Sequence, residues 1–319
     1  MADIHGICSE EFSGVREVFG RNLDTGADIG ASAAVFIDSE PVVDIWGGFF
    51  DEARTRPWER DTIVNMFSTT KTMTALYALI LADRGELDLR APVAKYWPEC
   101  AAEGKARTEV RRFLGHTSFA EEVAGPLGAD YHIGTGPECD DRVSIMIAAT
   151  PPRPRDGAGT ITDRVFFNPY VYPEDSGSIP WRRGELGGSN GHGNARSVAL
   201  VQQVLACGGA VGDVHLLSAA GCERVFELQA DGTDLVLGFA LRWGMGYALG
   251  GPMVDSLYGN RFAGRRIAFW GGSGGSFVIN DLDARMTVAY VMNRHVEHGF
   301  TDQRGIDLLN AAYDALMSG

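Results

Sequence analysis

The sequence predicts an α/β fold of the α+β kind: an antiparallel sheet assembled from both ends of the chain, flanked by terminal helices, with a second, mostly helical region between. Three observations predict it. Strand patterns cluster near residues 33–46 and return only after residue 268, amphipathic helical periodicity marks both termini, and the long stretch between is mostly helical and irregular. The sheet domain is therefore expected to combine residues 1–61 and 229–319, and the helical domain to span 62–228.

Taken in order, Ser9 to Asn22 places Phe12, Val15, Val18 and Phe19 on one side of an opening helix, which the Asp24-Thr-Gly26 turn should end. Ala33 to Ile37 and Val42 to Trp46, joined by Asp38-Ser-Glu40-Pro41, read as a hairpin running into Gly47-Gly48. After Ile63 to Phe67, a short apolar entry, Met73, Leu76, Leu79, Ile80 and Leu81 form a helical stripe closed by Arg84-Gly85. Loops rich in Pro, Gly and Arg occupy 151–156 and 173–188. Phe269-Trp270, Ser276 to Asn280 and Thr287 to Asn293 read as strands, the last two separated by a turn at Asp281-Leu-Asp-Ala284, and Asp302 to Met317 as the closing helix. No repeat, linker or low-complexity tract interrupts this order.

At 319 residues, 45% of them apolar, the chain can bury a sizeable core as one large domain or two interleaved ones. A net charge of −14 argues against nucleic acid or an anionic membrane surface as partner, because both reward basic patches. The five cysteines, Cys8, Cys100, Cys139, Cys207 and Cys222, are scattered without Cys-x-x-Cys or metal-ligand spacing, so reduced thiols are expected. No apolar run approaches membrane-spanning length and the N-terminus lacks a basic region followed by an apolar stretch, which points to a cytoplasmic location. Neither a cofactor nor a metal is implied.

The chemistry is concentrated in Ser68-Thr-Thr-Lys71. A serine hydroxyl is a weak nucleophile at neutral pH, and a partly desolvated lysine one helical turn away can take its proton, so this spacing suits acyl transfer. The chain has only three lysines, Lys71, Lys95 and Lys105, against twenty-five arginines, which makes a chance match less frequent. The first turn of a helix would add outward-pointing N–H groups that favour developing negative charge. The bland alternative is a helix cap followed by an exposed lysine.

Further pieces surround this one: Leu81-Ala-Asp-Arg-Gly-Glu-Leu-Asp-Leu89, Pro92-Val-Ala-Lys-Tyr-Trp-Pro98, Leu114-Gly-His-Thr-Ser118, Gly125-Pro-Leu-Gly128, Asn190-Gly-His-Gly-Asn-Ala-Arg196 and Trp270-Gly-Gly272. In this order, and over most of the chain, they resemble the serine β-lactamase and penicillin-binding-protein-like hydrolases, especially the class C β-lactamase-like carboxylesterases known as family VIII esterases. The resemblance implies a serine β-lactamase/transpeptidase-like fold. It also implies that Trp270, Gly271 and Gly272 line the substrate cleft, and that the backbone N–H groups of Ser68 and Ser273 form the oxyanion hole. Lactamases carry Lys-Thr-Gly where this chain has Trp270-Gly-Gly272; without that cation, neutral esters are expected to be favoured over penicillins.

The same resemblance calls for a catalytic tyrosine between the Leu-Gly-His-Thr-Ser and Gly-Pro-Leu-Gly segments, yet Ser118 is followed at once by Phe119-Ala-Glu-Glu-Val-Ala-Gly125. A stretch of the protein outside this sequence, a deliberate deletion, and a natural variant lacking the base each fit; the abrupt joining of two recognisable segments favours the first. Tyr131, Tyr170 and Tyr172 fall in the wrong places and read as structural. Gly271-Gly-Ser273-Gly-Gly275 satisfies Gly-x-Ser-x-Gly, but a nucleophile elbow needs a following helix, and Ser276-Phe-Val-Ile279 reads as strand. Trp46-Gly-Gly48 repeats the tripeptide at a strand end, where a buried tryptophan explains it. His192 between glycines fits a tight turn better than a cleft floor, and His116 a helix end. His295-x-x-His298 has metal spacing but no third ligand. Trp181, Trp243, Tyr247, Phe269 and Trp270 could wall an acyl pocket or simply pack the core.

The resemblance thus implies a serine carboxylesterase cleaving short-chain esters through an acyl-enzyme on Ser68, with Lys71 as its base and a small-molecule ester as its partner. The alternatives are an acyltransferase, a weak β-lactam hydrolase, or a penicillin-binding-like protein that binds without turnover.

Overall fold

The computed structural model describes residues 2–102, 106–107, 109–110, 119–148, 159–167, 170–259, 261–296 and 302–318. Its frame is a nine-stranded antiparallel sheet. Strand β1 (Ile4–Cys8) forms one edge, followed by β3 (Glu40–Gly48), β2 (Gly30–Ile37) and then Met286–Met292, Phe277–Asp281, Ile267–Gly271, Ala248–Leu249, Ala240–Trp243 and Ala230–Thr233. Both chain ends therefore meet in the middle, where β2 pairs with Met286–Met292 in the register Val35 to Val288. The run Gly30 to Phe36 is buried throughout, which is why it reads as continuously apolar rather than alternating.

Helices cover both faces. Successive residues of a strand point to opposite sides, and Asn280 Nδ2 donates to Gln202 of helix Ala195–Ala206 at 3.0 Å while Asp281 accepts from Tyr313 of the C-terminal helix Gln303–Ser318 at 3.0 Å. The C-terminal helix packs beside α1 (Ser13–Asp24) on one face, and helix Ala195–Ala206 lies on the other. Phe12, Val15, Val18 and Phe19 are buried as the opening-helix reading requires, although Glu10–Phe12 forms a 3-10 turn and the α-helix proper starts only at Ser13.

Helix α2 (Thr70–Asp83) is packed on nearly every side, with Met73, Leu76, Leu79 and Ile80 all at or below 2% exposure. Tyr247 ties it to its neighbours: the phenol donates at 2.9 Å to the Thr72 carbonyl and lies 3.1 Å from Gln202 Oε1. Because Asn280 donates to the same Gln202 Oε1 and accepts from Thr287 at 3.0 Å, these buried polar groups form a satisfied network. Sheet, α2 and helix Ala195–Ala206 are thereby fixed together.

Several elements differ from the sequence reading. Strand β1 and the strands Ala230–Thr233, Ala240–Trp243 and Ala248–Leu249 at the far end of the sheet escape it: the first three are short and partly exposed, and Ala248–Leu249, though buried, is only two residues long. Helix Ala195–Ala206 lies within the stretch read as helical domain, yet it packs directly on the sheet. Trp46 is only half-buried, stacked on His5 with centroids 6.1 Å apart.

Candidate active site

Ser68 lies in a short 3-10 turn, Phe67–Thr69, that leads into α2 rather than in the α-helix itself. The preceding residue, Phe67, has φ of +43°, an uncommon conformation for a bulky side chain. Its surroundings hold it there. Phe67 N–H donates to Asn65 Oδ1 at 3.3 Å, Thr69 N–H donates to the Met66 carbonyl at 3.2 Å, and the Phe67 ring packs against Trp181 and His295 with centroids 6.2 and 6.0 Å away. Strained backbone of this kind persists only where neighbours over-determine it.

Lys71 Nζ is 2.7 Å from Ser68 Oγ and donates to the Gly188 carbonyl, also at 2.7 Å. The side chain stays open to the cleft on one side, yet the protein around the amine strips enough water to push its pKa down from the usual lysine value to about 8. About a tenth of the amine is therefore neutral at pH 7, far more than for an ordinary lysine. In that form Nζ can keep its N–H bond to Gly188 while its lone pair accepts the Ser68 proton. The Gly188 carbonyl is itself anchored: Thr74 Oγ1 donates to Gly187 at 2.7 Å, Asn65 Nδ2 to Ser189 at 3.0 Å, and Asn190 Oδ1 accepts from Leu186 N–H at 2.9 Å.

The opposite wall is the end of strand Ile267–Gly271 and the turn after it. Gly272 passes so close to Met66 that a Cβ there would overlap the Met66 carbonyl oxygen. Ser276 Oγ donates to that same carbonyl at 3.2 Å, and Thr69 Oγ1 sits 2.9 Å from Ser276 Oγ and 3.2 Å from the Ser276 carbonyl. Ser273 therefore projects beside the nucleophile turn, exposed to the cleft, and among the described residues its N–H meets no backbone acceptor. Trp270 backs this wall, 8% exposed and packed on Trp243 with centroids 4.6 Å apart.

The β-lactamase family model, described simply as Beta-lactamase, matches residues 15–121 and 118–312. The chain belongs to the Beta-lactamase family. The two matched ranges overlap at 118–121, around the junction of Ser118 and Phe119 where the motifs abut; Ser118 lies outside the described residues. Among solved structures the chain is similar to a family VIII carboxylesterase, with 31% identity, a TM-score of 0.86, and 98% of this chain and 100% of that one covered. It is equally similar to a penicillin-binding protein homologue from Caulobacter crescentus, at 30% identity and TM-score 0.86 over 98% and 100%. Curated relatives match over shorter stretches. The Esterase/beta-lactamase LipL of Mycobacterium tuberculosis is 44% identical over 101 residues, covering 32% of this chain and 24% of its own, and the Esterase EstB of Burkholderia gladioli is 34% identical over 105 residues, covering 32% and 27%. The chain thus spans about a quarter of the length of these two relatives.

Against the fold of this Beta-lactamase-family chain, the remaining candidates sort by position. Tyr131 is 1% exposed and lies under Gly191 and Thr70, behind the nucleophile turn, where burial raises its phenol pKa far above the ordinary value. Such a group stays protonated and cannot act as a base at neutral pH. Tyr170 and Tyr172 pack on each other at 4.9 Å, and Tyr170 stacks on Phe167. His192 is fully buried in the strand Gly191–Gly193, its Nδ1 2.8 Å from the Asn190 carbonyl, and burial pushes its pKa down to about 4. It is a core residue in a strand, neither a turn residue nor part of the cleft floor. His116 and His298 lie outside the described residues.

Gly271-Gly-Ser273-Gly-Gly275 joins two strands, Ile267–Gly271 and Phe277–Asp281, so no helix follows Ser273. The five cysteines are free, and no metal-binding cluster of His, Cys, Asp or Glu occurs among the described residues. Among those residues no helix is long and apolar enough to cross a membrane. Sequence reasoning misses two groups that bear on the cleft: the Gly188 carbonyl that orients Lys71, and His295, whose Nε2 lies 2.8 Å from Ser273 Oγ. A backbone carbonyl leaves no trace in a sequence, and the spacing of His295 to His298 suggests nothing beyond a metal ligand.

Proposed function

We propose that the chain is a serine carboxylesterase acting on short-chain esters through an acyl-enzyme on Ser68. The observation that carries this reading is the 2.7 Å contact between Ser68 Oγ and a Lys71 amine whose pKa is depressed to about 8. Neutral Lys71 takes the Ser68 proton as Oγ adds to the ester carbonyl, and the resulting ammonium returns that proton to the departing alkoxide. Water then attacks the acyl-enzyme, with the regenerated amine as the only base adjoining Ser68 among the described residues. One base serving both half-reactions favours slow deacylation and an initial burst of alcohol.

The Ser68 and Ser273 N–H groups stabilise the tetrahedral oxyanion, a charge that arises only in the transition state. Trp270, Gly271 and Gly272 form the substrate wall. Glycine at 271 and 272 lets an ester lie against the backbone, and the indole of Trp270 offers an apolar backing without a cation. The reading of neutral esters as preferred substrates rests on that missing positive charge. The free thiols are compatible with action in the cytoplasm.

β-Lactam hydrolysis is the second reading, favoured by the local 44% identity to a relative named both esterase and β-lactamase. Comparing turnover of p-nitrophenyl acetate and butyrate with that of nitrocefin separates the two. Ester turnover that exceeds nitrocefin turnover and disappears in Ser68→Ala is the expected result; a Ser68→Ala variant that still hydrolyses the ester overturns the nucleophile assignment.

A further inference from the structure

The oxyanion assignment gives the Ser273 N–H a catalytic duty, and the role inferred for its neighbours rests on that reading. The segment that carries it, Gly271-Gly-Ser-Gly-Gly275, has a single side chain, and Gly274 and Gly275 adopt φ of +100° and +116°. Glycine permits such a path but does nothing to fix it, because it brings no side chain and the most backbone freedom. An amide that must sit within a fraction of an ångström of a developing charge therefore needs anchors from elsewhere in the fold.

Besides backbone bonds from Gly272 N–H to the Ser276 carbonyl and from Val296 N–H to the Gly274 carbonyl, two side chains from elsewhere in the fold grip this turn. His295 Nε2 lies 2.8 Å from Ser273 Oγ, and Arg304 Nη2 donates to the Gly274 carbonyl at 2.8 Å. Each is itself immobilised. His295 is 8% exposed, its backbone pairs with Ala148, and a Cβ at Gly274 would press on its ring. Arg304 is 6% exposed, ion-paired to Asp28 and Asp302, and donates to the carbonyls of Ala27 and Arg294. The His295 ring also meets Phe67 edge-on, centroids 6.0 Å apart at 80°, so one imidazole touches the turn bearing Ser68 and the turn bearing Ser273.

We propose that His295 and Arg304 are positioning residues for ester hydrolysis, holding the Ser273 N–H at the distance from Ser68 at which both amides meet the oxyanion. Neither touches substrate. His295 acts on the Ser273 side chain and Arg304 on the Gly274 carbonyl, both on the C-terminal side of the amide they fix.

The test pairs ester kinetics with the affinity of phenylboronic acid, which adds reversibly to the Ser68 hydroxyl and presents a tetrahedral oxyanion-like centre. His295→Leu is expected to lower kcat/KM for p-nitrophenyl butyrate by about 10- to 100-fold and to weaken phenylboronic acid by a similar factor, with KM and the thermal midpoint near the parent values. His295→Gln, whose amide can reach Ser273 Oγ, should restore most of both. Arg304→Lys keeps a charge opposite Asp28 and Asp302 but loses the bond to Gly274, and should show a smaller loss with the same signature. If His295→Leu fails to fold, Ser273→Ala removes the same hydrogen bond from the exposed end and must reproduce the paired loss. Parent-like kcat and boronate affinity in His295→Leu or Ser273→Ala, or a change confined to the thermal midpoint, overturns the proposal. The esterase reading is checked separately: labelling of Ser68 by a fluorophosphonate alongside unchanged His295→Leu kinetics leaves that reading standing and removes only the positioning role.

Discussion

The two walls of the cleft are built in opposite ways. On one side, Ser68 and Lys71 are three residues apart on a turn and helix, so the contact that matters follows from local geometry once the segment folds. On the other, Ser273 sits on a glycine-rich turn whose position depends on residues distant in sequence: Met66 and Thr69 through Ser276, Arg304 through Gly274, and His295 through Ser273 itself. The proposed nucleophile and its base are locally encoded, whereas their oxyanion partner is a property of the assembled sheet.

That contrast can be broken most directly at the local wall. Ser68→Ala should reduce ester turnover by about 10⁴-fold or more while circular dichroism stays native, since a nucleophile and its base act as one unit. Lys71→Met should cost about 10²- to 10⁴-fold in the acylation rate read from the burst phase. In the unmutated protein, acylation should rise with pH through about 8 and then level off, because the reactive form is the neutral amine and the folded pKa lies at about 8. A profile flat between pH 6 and 9 would remove Lys71 as the base.

At the assembled wall the effects should be smaller and should reach stability. Gly272→Ala puts a methyl into the Met66 carbonyl and must push the two walls apart. The expected result is about a 10²-fold loss in kcat together with a lower thermal midpoint. A variant with unchanged kcat would show that the strand and the nucleophile turn do not need this close approach. The smallest effect should come from behind the site: Tyr131→Phe removes a buried hydroxyl that lies under Gly191, and ester kinetics should stay within about twofold of the parent, separating cleft from core.

Legibility follows the same division. Strand β3 and the closing helix announce themselves because burying one side imposes a period on neighbouring residues, whereas β2 and α2, buried nearly all round, show as apolar runs bounded by turn residues. Edge strands such as Ala230–Thr233, exposed along their whole length, carry no such period and stay hidden. His192 misleads because a histidine flanked by glycines looks like a turn, whereas those glycines make room for Tyr131, Thr70 and Met66 against a buried strand.

By itself the sequence determined the Ser68-x-x-Lys71 pairing, the family, the return of strands near the C-terminus, and the absence of a cation at position 270. These are statements about residue type and short spacing, which a linear string carries directly. Only the tertiary structure decided that Gly188 holds the lysine amine, that Tyr131 lies in the core, and that His295 and Arg304 grip the turn bearing Ser273. Each of these depends on groups more than twenty residues apart, or on a backbone carbonyl, meeting through sheet pairing and helix packing, and no pattern of neighbouring residues specifies such a meeting.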